Sequence, residues 1–92
     1  MASAIVTIKV MPASPETNMG ELETKVKKAI INFAGEGETR TEITPVAFGL
    51  KSLEITFVMD EAKGSPDPLA EEIDSYEDVN SAEITDVRRA VG

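Results

Sequence analysis

The sequence predicts a single α+β domain in which two helices back one face of a four-stranded antiparallel sheet. Three observations predict it. Ninety-two residues are enough for one small core and leave no room for a second catalytic domain. Apolar runs of period two are interleaved with stretches whose apolar residues recur at three and four positions. Two strand-like runs, residues 40 to 48 and 50 to 59, lie too close together for a helical crossover and so pair as an antiparallel hairpin.

The first strand is "SAIVTIKVM", with Val6, Ile8 and Val10 on one face and Ile5, Thr7 and Lys9 on the other; "MPASPE" ends it with its prolines. Met19, Leu22, Val26, Ile30 and Phe33 then mark one stripe of an amphipathic helix, capped by Asn18 with Glu21 at the third helical position and stopped at Gly35 or Gly37. After the hairpin, "KGSPDP" announces a second helix. Asp67 is expected at its N-cap with Pro68 in the first turn, and Leu69, Ile73 and Tyr76 form its apolar stripe. "SAEITDV" closes the chain as a fourth strand with Ala82 and Ile84 inward, and its parity slips at Val87.

Two strand–helix–strand halves with right-handed crossovers give the spatial order 4-1-3-2, a ferredoxin-like βαββαβ two-layer sandwich. With strands one and three expected to run one way and two and four the other, the hairpin tip and the end of strand four meet at one rim. Phe48 and the Arg88–Arg89 pair would then sit on the order of 10 to 15 Å apart, two or three strand spacings. Covering the end of the core would account for Phe48, and a tight turn for Gly49. Arg88 and Arg89 would ordinarily be solvated beside Asp86 and Glu83.

Composition narrows the chemistry. Apolar residues make up 41% and charged residues 28%, an ordinary globular balance. The lack of cysteine excludes a disulfide scaffold, an iron–sulfur cluster and a thiol nucleophile, and the lack of histidine removes the commonest general base and metal ligand. Seventeen acidic against nine basic residues give a net charge of −8, which repels phosphate backbones and anionic membranes. No basic leader with a hydrophobic stretch opens the chain, so a cytosolic location is expected.

This architecture hosts unrelated functions, so side chains must decide. An RNA-reading sheet would need aromatic residues among Ile5, Thr7, Lys9, Glu54, Thr56 and Val58, where there are none. An acylphosphatase-like site would need an arginine and a glycine-rich cradle after strand one, and "MPASPETN" has neither. The acidic run "AEEIDSYED" lacks calcium-loop spacing and reads as the wet side of helix two. Two classes remain: a module that binds another protein, and a small regulatory ligand-binding domain acting as a homo-oligomer.

Three segments, "IVTIKVMPASPET", "TPVAFGLKSLEITFVM" and "VNSAEITDVRRA", carry a resemblance over essentially the full chain to the archaeal elongation factor 1-beta family and to the C-terminal exchange domain of its eukaryotic relatives. A longer protein precedes that domain in the eukaryotic forms, and the expectation here is the minimal archaeal form. The resemblance implies a guanine-nucleotide exchange factor, with no covalent chemistry and no cofactor or metal of its own. It would act on the GTPase elongation factor 1-alpha, with neither nucleic acid nor membrane as a direct partner. It implies that Phe48, between Pro45 and Gly49, enters a pocket on the GTPase. It also implies that a cation near the chain end reaches toward the magnesium site; the family's lysine falls on Arg89, with Arg88 as the alternative. Pro45, Phe48, Gly49, Lys51, Arg88 and Arg89 are thus the candidate partner-binding residues.

Overall fold

The computed structural model describes residues 3–90, so the terminal Val91 and Gly92 lie outside the described residues. Its elements are β1 (Ser3–Pro12), α1 (Met19–Ala34), β2 (Thr39–Pro45), β3 (Lys51–Asp60), α2 (Asp67–Asp74) and β4 (Val79–Ala90). Single 3-10 turns stand at Ala47–Gly49 and Glu61–Lys63. The sheet order is β2-β3-β1-β4, the ferredoxin-like arrangement, and every neighbouring pair is antiparallel. No helix among the described residues is long and apolar enough to cross a membrane.

The core follows from the two periodicities. β1 buries Ala4, Val6, Ile8 and Val10 while β3 buries Leu53, Ile55, Phe57 and Met59. Onto that face α1 sets Leu22, Val26, Ala29 and Ile30, and α2 sets Leu69, Ala70 and Ile73. Asn18 caps α1, its Oδ1 accepting from the Glu21 N–H at 3.1 Å, and Gly35 ends it at φ 86° with its N–H on the Ile31 carbonyl. Lys25 ties α1 to the turn after α2, with Nζ 3.2 Å from Asp78 and 5.9 Å from the centre of the Tyr76 ring.

Several sequence expectations need correction. β2 stops at Pro45 rather than at residue 48, because the chain must turn and Ala47–Gly49 supply a helical turn there. Asp67 is the first residue of α2 and not its cap. Its N–H is taken by Ser65 Oγ at 3.1 Å, and Pro66 carries the cap position, so the preference against helix before proline yields to that local bond. α2 ends at Asp74, and Tyr76 packs against the core from the following turn. β4 runs from Val79 to Ala90, longer than "SAEITDV". Its parity slip is a β-bulge: Ile84 pairs with Ile8 and Asp86 with Thr7, leaving Thr85 as the extra residue, its hydroxyl 3.4 Å from the Thr7 carbonyl.

The largest correction concerns strand direction. β3 and β4 are each antiparallel to β1, and β2 is antiparallel to β3, so β1 runs with β2 and β3 runs with β4. A crossover helix returns the chain to the end where the preceding strand began, so the strands it joins must be parallel. The hairpin tip between β2 and β3 therefore lies at the end of the sheet where β1 finishes. β4 finishes beside Ser3, at the opposite end. The expected shared rim does not exist.

The core makes a direct prediction. Phe57 is 2% exposed at the centre of β3, so Phe57→Ala should cost about 3 to 5 kcal/mol in urea unfolding. A loss below about 1 kcal/mol would place the ring outside the core.

Candidate functional site

Strand β2 can end at Pro45 because an edge strand tolerates a residue without an N–H. Beyond it Val46 donates to the Leu50 carbonyl at 2.8 Å and Leu50 donates to the Ala47 carbonyl at 3.2 Å, closing a compact loop. Within that loop Phe48 sits at φ 61°, ψ 31° and Gly49 at φ 76°. Glycine takes this left-handed region freely, whereas for phenylalanine it costs on the order of 1 to 3 kcal/mol. Space does not demand Gly49: a Cβ there would meet Pro15 at an ordinary 3.8 Å. Its φ does.

Phe48 is 92% exposed and so does not cover the end of the core. Val46 and Ile43, exposed at 39% and 43%, extend the apolar surface at this pole. Beneath the turn a cleft of about 260 Å³ runs between the end of β1 and the loop after it, with Pro12, Pro15 and Thr17, and Gly49 of the turn with Lys51 at the start of β3. Pro45, Phe48, Gly49 and Lys51 are thus brought together at one pole, all exposed.

Arg88 and Arg89 are not brought to it. Arg88 pairs with Ile5 and Arg89 with Ala4, while Lys51 lies at the level of the far end of β1. About seven residue steps at roughly 3.3 Å separate the two levels, on the order of 25 Å along the strands. The molecule is 42 Å in its longest dimension, so these are opposite poles. The strand pleat also divides the pair: Arg88 shares the open face with Ile5, and Arg89 the helix face with Ala4.

Both Arg88 and Arg89 have an acidic partner. Arg88 Nε donates to Asp86 at 2.8 Å, as the sequence suggests, whereas Arg89 Nε donates to Glu61 at 2.9 Å and not to Glu83. The hydrogen bond to Glu61, and then its charge, raise the Arg89 pKa above the ordinary arginine value. Glu61 escaped the sequence reading because its place depends on register: Asp60 pairs with Ser3 beside the end of β4, and its Oδ1 accepts from the Ala62 N–H, so the turn presents Glu61 to Arg89.

No group of three or more acidic, histidine or cysteine residues among the described residues is placed to hold a metal ion. The features that stand out are a strained, exposed aromatic knob at one pole and a pair of cations at the other. Comparison with known proteins gives the family. The EF-1 guanine nucleotide exchange domain family matches residues 5–90, and the chain belongs to that family.

Archaeal proteins named elongation factor 1-beta are similar over nearly their whole length. That of Methanosphaera stadtmanae is 36% identical over 89 residues, 97% of this chain and 98% of its own. That of Methanococcus vannielii is 37% identical over 87 residues, 95% of this chain and 97% of its own. That of Pyrococcus horikoshii is 41% identical over 83 residues, 89% of each. The role this defines is guanine-nucleotide exchange in translation elongation.

The strain at Phe48 is separable from the ring's use. Phe48→Asn places there a side chain that tolerates the left-handed region, so urea unfolding should show stability unchanged or raised by up to about 1 kcal/mol. A clear loss of stability would mean that the ring supports the fold.

Proposed function

We propose that this domain binds the GDP form of elongation factor 1-alpha and promotes GDP release, with the Phe48 hairpin as its anchor. The observation that carries the reading is the Phe48 ring, 92% exposed at φ 61°. Exposing a ring and straining its backbone both weaken the free domain, and burial in a partner's pocket would recover about 1.5 to 3 kcal/mol. Pro45 and Gly49 fix the turn beneath the ring, and Lys51 lies beside the cleft where a partner's acidic group would meet it. Family membership favours this reading over that of a regulatory ligand-binding domain.

The second contact is a cation, Arg89 with Arg88 as the alternative, acting near the GTPase magnesium site. A positive charge there competes with the ion that neutralises the nucleotide phosphates, and losing that ion weakens GDP binding. With the arginines some 25 Å from the hairpin and on opposite faces, the domain would grip its partner lengthwise, and one guanidinium at most would approach the phosphates. For Arg89 to act, its bond to Glu61 must open. Coupling is reciprocal, so the complex is tightest when nucleotide is absent.

The two contacts predict different defects. Phe48→Ala should weaken binding to nucleotide-free elongation factor 1-alpha by roughly 10- to 100-fold in titration calorimetry, the equivalent of the lost burial. Parental affinity from a folded variant would remove the anchor. The double variant Arg88→Ala/Arg89→Ala should retain most of that affinity and lose most of its stimulation of GDP release; stimulation at the parental rate would remove the magnesium-site argument.

A further inference from the structure

The turn after β3 is pinned from both sides. Asp60 Oδ1 accepts from the Ala62 N–H at 2.9 Å, and Gly64, at φ 84°, donates its N–H to the Glu61 carbonyl at 3.0 Å. Because Asp60 pairs with Ser3 and Ser3 with Ala90, this turn stands across β1 from the end of β4. A fixed backbone therefore carries the Glu61 carboxylate. Arg89 reaches it from a strand 28 positions later in the chain, donating through Nε at 2.9 Å.

The two arginines differ in what holds them. Asp86 stands two residues before Arg88 on the same face of the same strand, about 7 Å along it. Any anionic site that meets Arg88 also meets Asp86, and the charge arrives masked. The acid beside Arg89 belongs to a separate element. Rotation of the Arg89 side chain, 73% exposed, carries the guanidinium away from Glu61, which stays on its turn with its side chain 31% exposed. Of the two, Arg89 is the cation whose charge can be unmasked.

We propose that Glu61 restrains exchange: it occupies the Arg89 guanidinium in the free domain and competes for it with the anionic groups around the GTPase magnesium site. The proposal rests on the exchange reading with Arg89 as the acting cation. Arg89 then acts only in the fraction of complexes in which the pair is open. An exposed pair shifts that balance by at most about fivefold, so the restraint is modest and reversible. The charge left on Glu61 works in the same direction, since a carboxylate near a magnesium site favours the ion that exchange must loosen. Removing this charge while keeping the shape of the side chain should speed GDP release, an outcome that the loss of a merely structural contact would not give.

The test is stopped-flow release of fluorescent GDP from elongation factor 1-alpha at saturating concentrations of the full chain, with circular dichroism to verify folding. Glu61→Gln should raise the plateau rate about two- to fivefold over the parent. The gain should shrink toward parity between about 0.05 M and about 0.5 M salt, because screening opens the parent's pair as well. In an Arg89→Ala background Glu61→Gln should change nothing, since the two residues act as one unit. Asp86→Asn removes an equal charge beside Arg88 and should leave the rate within about 1.5-fold of the parent. With a parent that stimulates release, the proposal is overturned if Glu61→Gln matches or falls below it, if the gain survives loss of Arg89, or if Asp86→Asn gives the same gain. A parent that does not stimulate release overturns the exchange reading itself, and the restraint with it.

Discussion

A helix that crosses a sheet must bring the chain back to the end where the preceding strand began, and this one requirement sets the layout of the whole molecule. It makes β1 parallel to β2 and β3 parallel to β4. The β2–β3 turn is thereby fixed at one pole and the close of β4 at the other. The apolar layer beneath, with Ile8, Phe57, Leu22 and Ile73 all at 2% exposure or less, makes the sheet a rigid bar between them. Two contact points held at fixed separation differ mechanically from a two-pronged tip. Under the proposed reading a partner is engaged along the length of the bar, braced at one place and disturbed at another.

The hairpin carries the proposed anchor where the fold can tolerate it. Phe48 contributes nothing to the core and stands in a conformation that side chains avoid. It does so on a loop closed by two backbone hydrogen bonds and supported by Pro45 and Gly49, so the strain stays local. The ring is held in place by its loop, so little side-chain and backbone freedom would be lost on entering a partner's pocket, as proposed. At the other pole Glu61 restrains Arg89 and Asp86 restrains Arg88. These pairs are exposed and weak, so they orient the cations without locking them.

Much of the architecture was legible in the residues. Strict alternation in β1 and β3, the stripe from Met19 to Phe33 and the Asn18 cap are local patterns, and local patterns survive folding. What failed to be legible was relational. The directions of the strands depend on how helices return, and no residue encodes that alone. The Thr85 bulge appeared only as a parity slip at Val87, because a bulge is defined by its partner strand. Asp67 entered the helix because Ser65, two residues earlier, bonds its N–H. In the candidate site, Phe48 and its supporting residues were proposed from a segment that resembles the exchange-factor family. The Arg89–Glu61 pair could not, since 28 positions separate its members and only the register of β1 with β3 and β4 joins them.

The most direct test of the central claim is the release of fluorescent GDP from purified elongation factor 1-alpha of the same organism, followed by stopped flow as this protein is added. Release should accelerate with concentration toward a plateau, since the complex forms before nucleotide leaves. A release rate that stays at the spontaneous value at every concentration would contradict the account.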